Sequence, residues 1–252
     1  MEFKIFENCF EISHHISTRS NGYSLNNYKS LNLAYHVADQ KDNVDKNREI
    51  VSKKLGVQVS ELLFPNQTHS SHVQVIQNID DLAKKFEATD ALITNIKGIC
   101  IGILTADCVP ILLYDTEKHV IAAIHAGWRG TVGKIVENTV NKMMEVFETN
   151  PQNILAGIGP CISKEIYEIS SDLAHDIENK LSEYQDIVLL KNEKYYFDLV
   201  KSNVLQLKKM KVPEKQIETM NICTFQSQDL FFSARRDGFS TGRFGTCIKL
   251  KD

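Results

Sequence analysis

The sequence lacks paired cysteines. Its six, Cys9, Cys100, Cys108, Cys161, Cys223 and Cys247, are scattered with no Cys-x-x-Cys among them. That excludes a disulfide framework and a zinc-finger spacing, and suits reduced thiols in a cytoplasm. There is no basic excess either: the net charge is −3, with no basic stripe, so nothing electrostatic points to nucleic acid. No apolar run reaches the length needed to cross a bilayer. Residues 1–10 carry Glu2 and Glu7 and lack a signal peptide's basic start and long apolar core. Internal repeats, low-complexity segments and an interdomain linker are all missing. The 252 residues, 42% hydrophobic and 24% charged, therefore read as one soluble α/β domain over 1–252, with a mixed central sheet flanked by helices. Arginine is scarce, six against 23 lysines. Where lysine covers the surface, the few arginines suit tasks needing the guanidinium fork, which grips phosphate or carboxylate at two points. As a group they suggest an anionic ligand.

What is present centres on residues 105–130. Residues 99–104 are apolar and β-branched and run into Thr105-Ala106-Asp107-Cys108. Residues 111–114 form a second such run, closed by Asp115-Thr116-Glu117-Lys118. Residues 120–124 form a third, ending in His125-Ala126-Gly127. Short apolar runs between turn signals predict buried strands, which puts Cys108 and His125 at neighbouring strand ends. Asp107 sets a charge beside the thiol, and Gly127 and Gly130 bracket the chain's single tryptophan, Trp128.

Around this core, 42–55 has helical spacing and carries Arg48, and 131–147 is the clearest amphipathic helix, with Thr131 as its expected N-cap. The start of that helix should turn free N–H groups toward Trp128-Arg129, a natural place for an anion. Residues 154–162 read as a strand breaking into a Gly-Pro turn, 171–181 and 198–210 as helices, and 217–224 and 246–250 as strands. Two histidines, His69 and His72, stand three apart. In a strand these point to opposite faces, and the Ser-Ser after His69 suggests a loop that re-aims it, so His69 is the better third ligand.

Three readings compete for His69, Cys108 and His125. One is a zinc site of two imidazoles and a thiolate, the three-ligand count of a catalytic centre. Another is a metal-free Cys–His pair in which the thiolate attacks an amide or ester carbonyl. The last is a set of packing residues. Spacing alone leaves them open. Two histidines and a cysteine also suit a single copper, but a multicopper oxidase needs many more imidazoles, and this chain has eight histidines and no His-x-His.

The motifs Thr105-Ala106-Asp107-Cys108-Val109-Pro110, His125-Ala126-Gly127-Trp128-Arg129-Gly130 and Gly157-Ile158-Gly159-Pro160-Cys161-Ile162 resemble those of the YfiH/YlmD family, once called polyphenol oxidase or laccase domain. The resemblance runs from Thr18-Arg19 to Thr241-Gly242-Arg243, with Ser70 where the family carries Gly and Ala38-Asp39 where it carries Gly-Asp. It implies an α/β fold related to Cys-His toxin deamidases and a zinc site on His69, Cys108 and His125. It also implies phosphorolysis of adenosine, inosine, guanosine and methylthioadenosine, with hydrolytic deamination of adenosine. Arg48 and Arg236, with His36 and Ser24, are the candidates for holding phosphate or ribose, and Cys108 and Asp107 for the general base. Some relatives are described instead as peptidoglycan-editing amidases, with Cys108 as nucleophile and His125 as base.

Overall fold

The apolar runs form strands that lie in stacked sheets, which explains why they read as continuous rather than alternating. The computed structural model describes residues 1–78, 81 and 86–251. Its strands are β1 (Ile12–Ile16), β2 (Leu62–Leu63), β3 (Val73–Ile76), β4 (Ala91–Thr94), β5 (Cys100–Thr105), β6 (Val109–Asp115), β7 (Val120–Ala126), β8 (Ile154–Ile158), β9 (Glu168–Ile169), β10 (Val188–Lys191), β11 (Lys194–Phe197), β12 (Ile217–Thr219) and β13 (Phe244–Leu250). Its helices are α1 (Lys41–Leu55), α2 (Trp128–Val132), α3 (Ile135–Phe147), α4 (Ser171–Lys180), α5 (Leu199–Lys209) and α6 (Ala234–Asp237).

A six-stranded mixed sheet has the order β12-β8-β6-β7-β4-β3, and a four-stranded mixed sheet the order β1-β13-β5-β2. A small antiparallel sheet, β10-β11-β9, completes the set. Side chains alternate between faces along a strand, and the cores follow that alternation. Leu112 and Tyr114 of β6 pack with Ile101 and Ile103 of β5 and Ile248 of β13, so the two large sheets lie face to face. Ile111 and Leu113 point the other way, to Val136, Val140 and Met143 of α3 and Leu207 of α5. On the far side of the four-stranded sheet, Cys100, Leu104 and Cys247 meet Val51 and Leu55 of α1. The result is a mixed α/β fold in four layers, helix, sheet, sheet, helices. Both faces of β6 and β7 are covered, and every residue in them is buried.

Two local expectations change. The helix expected over 131–147 is two helices, broken at Gly133 and at Lys134, whose φ is +60°. Thr131 is therefore not an N-cap. It lies inside α2, where its hydroxyl accepts a hydrogen bond from Asn203 Nδ2 (3.1 Å) and its carbonyl one from Gln206 Nε2 (2.8 Å). The helix begins instead at Trp128, with Gly127 as its N-cap. The loosely alternating segment 31–37 forms no strand and is irregular.

Candidate metal centre

Cys108 lies on the short link between β5 and β6, where the chain crosses from one large sheet to the other. The link turns through Asp107, whose φ of +104° is one that residues other than glycine rarely adopt. The turn is held from three directions. Asp107 Oδ1 accepts from Thr224 Oγ1 (2.6 Å), Oδ2 from the Arg235 N–H (2.7 Å), and its carbonyl from the Ile162 N–H (2.9 Å). With both carboxylate oxygens so engaged, Asp107 aims the Cys108 loop rather than serving as a free base. His125 is the penultimate residue of β7, facing Pro110 across the hairpin. His69 stands in the loop before β3 with φ +61°.

These three distant residues converge. The ligand atoms of His69, Cys108 and His125 all lie within 4.8 Å of one another, and the two imidazoles meet edge-on with centroids 4.9 Å apart. His125 is buried, Cys108 partly exposed and His69 exposed, so the cluster opens to solvent on the His69 side. His72 is exposed and outside the cluster.

Asp90 organises the group, and sequence reasoning missed it. It directly precedes β4, and its carbonyl accepts the His125 N–H at 2.8 Å. Its fully buried carboxylate accepts from His125 Nδ1 (2.7 Å), from the backbone N–H groups of Thr68, His69 and Ser70 (3.2, 3.0 and 2.7 Å) and from Ser70 Oγ (2.7 Å). Burial alone would raise its pKa, but the bonds from His125 and Ser70 hold it below the usual carboxylate value. One carboxylate thus fixes the ring of one ligand and the backbone of another. Gly127 leaves room for all this: a Cβ there would sit 2.9 Å from His69 Cδ2 and 3.0 Å from Cys108 Sγ.

The electrostatics follow from the packing. Burial alone would raise the Cys108 thiol, but the facing His125 and His69 imidazoles bring it down to about 6. Burial alone would lower His125, but the Cys108 sulfur and the bond to Asp90 lift it to about 9. At neutral pH the pair is a thiolate facing an imidazolium. The same donors fit a metal. Three ligands is the catalytic zinc count, and a carboxylate on the far ring nitrogen of a histidine is the usual way such a ligand is oriented.

The remaining expected residues fall in different places. His36 is exposed, and its pKa is lowered by partial burial and by the positive charges of Arg243, Arg48, His125 and His69. It therefore stands near the cluster. Arg48 donates Nε–H to the Leu33 carbonyl (2.9 Å), with its guanidinium over the rings of Tyr35 (4.0 Å) and Phe64 (5.0 Å). Ser24 is buried and accepts from Asn47 Nδ2 (2.9 Å), which ties its loop to α1. Arg236 is consumed inside the protein. It donates to the carbonyls of Thr224, Phe225 and Phe231 and to both carboxylate oxygens of Asp237, using all five donors of a guanidinium.

A family model described as multi-copper polyphenol oxidoreductase laccase matches residues 13–251. The chain belongs to the YfiH/YlmD family. Among curated YfiH/YlmD relatives, a protein of Bacteroides thetaiotaomicron named purine nucleoside phosphorylase is 37% identical over 240 residues, 92% of this chain and 89% of that one. A protein named adenosine deaminase RL5, from an unknown prokaryotic organism, is 35% identical over 243 residues, 93% of this chain and 92% of that one. The solved structure of YfiH from Bacillus licheniformis superposes with a TM-score of 0.91 at 30% identity, covering 97% of this chain and 95% of that one.

Proposed function

We propose that this protein is a zinc-dependent purine nucleoside phosphorylase that also deaminates adenosine. The observation that carries the reading is the half-open His69–Cys108–His125 cluster, oriented by Asp90, in a chain similar over nine-tenths of its length to proteins named for those two activities. His69 Nε2 or Nδ1, Cys108 Sγ and His125 Nε2 would hold the zinc, since His125 Nδ1 is committed to Asp90. When bound, zinc with a free position supplies an activated water for deamination and a Lewis acid beside the nucleoside. The chain's own residues do the rest. Asp90 keeps the His125 ring and the His69 backbone in place, and Asp107 keeps the Cys108 loop in place. Phosphorolysis gains chiefly from positioning and charge stabilisation, and the Arg48 guanidinium and the His36 imidazole would position phosphate. A single three-ligand cluster among the described residues, with no His-x-His in the chain, favours zinc chemistry over a multicopper oxidase.

The test is incubation with adenosine, with and without phosphate, resolving adenine, inosine and hypoxanthine. Adenine released only with phosphate, together with phosphate-independent inosine, is the expected result. No conversion of adenosine or inosine by zinc-loaded protein would end the reading. Cys108→Ala should abolish turnover and zinc binding while the circular dichroism spectrum persists.

One observation favours a second reading. Cys108, His125 and Asp90 stand in the order of a nucleophile, a base and the carboxylate that orients it. That order suits an amidase acting on a peptidoglycan precursor. Removing zinc separates the two: the amidase would survive chelation, whereas the nucleoside activities would not.

A further inference from the structure

Two half-buried arginines, Arg48 and Arg243, make no salt bridge among the described residues. Arg48 is clamped by the Leu33 carbonyl and by two aromatic rings, and its terminal nitrogens have no hydrogen-bond partner among the described residues. Arg243 donates Nη1 to the carbonyls of Thr241 (2.7 Å) and Gly242 (3.0 Å) and Nη2 to that of Phe239 (3.4 Å), with no carboxylate in contact among the described residues. Partial burial depresses both guanidiniums. A partly desolvated guanidinium with no carboxylate bonded to it is costly to keep. Arg236 and Arg129 show the contrast, the first neutralised by Asp237 and the second exposed over Trp128.

The two arginines are tied to one residue. Arg48 Nε–H donates to the Leu33 carbonyl, and the Leu33 N–H donates to the Arg243 carbonyl at 3.0 Å. His36 lies three residues on and feels both of their charges together with those of His69 and His125. Arg243 directly precedes β13, whose Phe244 pairs with Thr105 at the end of β5, from which the chain runs straight into Asp107-Cys108. The Cys108 sulfur and the Asp107 carboxylate are the charges that favour the Arg243 cation most.

We propose that Arg48, Arg243 and His36 form an anion subsite beside the His69–Cys108–His125 cluster, and that its ligand is inorganic phosphate, the second substrate of the phosphorolysis proposed above. The subsite rests on that reading for its role, though not for its existence. A nucleoside is uncharged, and neither its binding nor its deamination requires two guanidiniums. A dianion suits them, because Arg48, with Nε fixed to the Leu33 carbonyl, keeps both terminal nitrogens of its fork without a partner among the described residues, and such a fork takes phosphate oxygens in pairs. The role that sequence assigned to Arg236 passes to Arg243, because Arg236 has no donor to spare.

The test uses zinc-loaded protein and inorganic phosphate. Calorimetric titration should show phosphate binding to the wild type, weakened roughly 10- to 100-fold in Arg48→Met and in Arg243→Met, the loss typical of hydrogen bonds to an ionised partner. In inosine phosphorolysis, both variants should raise KM for phosphate far more than KM for inosine. Arg48→Lys and Arg243→Lys keep the charge without the fork and should fall between, which separates a lost contact from a misfolded loop. Phosphate binding that depends on both arginines, in a protein that releases no hypoxanthine, would keep the subsite and remove the reaction. Absence of phosphate binding at tens of millimolar, or equal rises in both KM values, would overturn the subsite. So would arginine-dependent binding of adenosine monophosphate without binding of free phosphate.

Discussion

Asp90 carries more of the site than any ligand does, since five donors converge on one buried carboxylate. Asp90→Asn keeps one oxygen acceptor but turns an amide N–H toward either His125 or the 68–70 loop, so one ligand must lose its support. We expect zinc affinity to fall roughly 10- to 100-fold, the usual effect of losing such an orienting group, as read by competition with a chromogenic chelator; unchanged affinity would show that the rings hold their places without it. The thiol makes a second prediction at this scale. With its pKa lowered to about 6, Cys108 is largely thiolate at pH 7. In chelator-stripped protein its alkylation should stay near maximal down to neutral pH and fall only as pH drops through about 6. A thiol at its ordinary value would already lose reactivity below pH ~8.5. Cys108 and His125 were legible because turn signals mark the ends of their runs, and His69 because Ser-Ser breaks its strand. Asp90 was not, being one acid before an apolar run like many others. Nor could sequence tell Arg236 from Arg243, because what separates them is which carbonyls, from Thr224, Phe225 and Phe231, have folded against the fork.

At the scale of elements, the β6–β7 hairpin does what its sequence promised, with Val109 facing Ala126 and Pro110 facing His125. The junction from β7 into α2 is where the ligands are crowded. Gly127 has an ordinary φ of −72°, so the need there is for space rather than for an unusual backbone. Gly127→Ala should displace His69 or Cys108 by several tenths of an ångström, lowering zinc occupancy and turnover together while thermal stability changes little; full occupancy in metal analysis would count against this. The break between α2 and α3 was hidden because the apolar stripe continues through it in register. Lys134, at φ +60°, carries no sequence mark of a left-handed position. The small β9–β11 sheet was missed for a related reason: its strands are short and partly exposed, with Leu190 at 65% exposure, and lack the continuous runs that marked the buried ones.

Across the whole molecule, two sheets share one core, and Leu112 lies in it with no exposed surface. Leu112→Ala should cost roughly 2–5 kcal/mol, measured by urea denaturation. Because the core joins both large sheets, far- and near-UV dichroism should shift their midpoints together; separate midpoints would show the sheets unfolding independently. The site has the same long reach. Asp107 is held by Ile162, Thr224 and Arg235, and Asp90 by residues 68–70 and 125, so the candidate metal cluster hangs on segments from most of the chain.

The sequence by itself determined the buried central strands and most helices, the α/β class, the three residues of the candidate metal cluster and the family, because backbone propensity, hydrophobic period and short motifs are local and survive in one dimension. Tertiary structure alone decided how the strands divide between two stacked sheets, that Asp90 braces His69 and His125, and which arginines are paired with a carboxylate and which are not. Those outcomes depend on hydrogen bonds and charges between residues tens to hundreds of positions apart, and no local pattern encodes which of many similar donors and acceptors will meet.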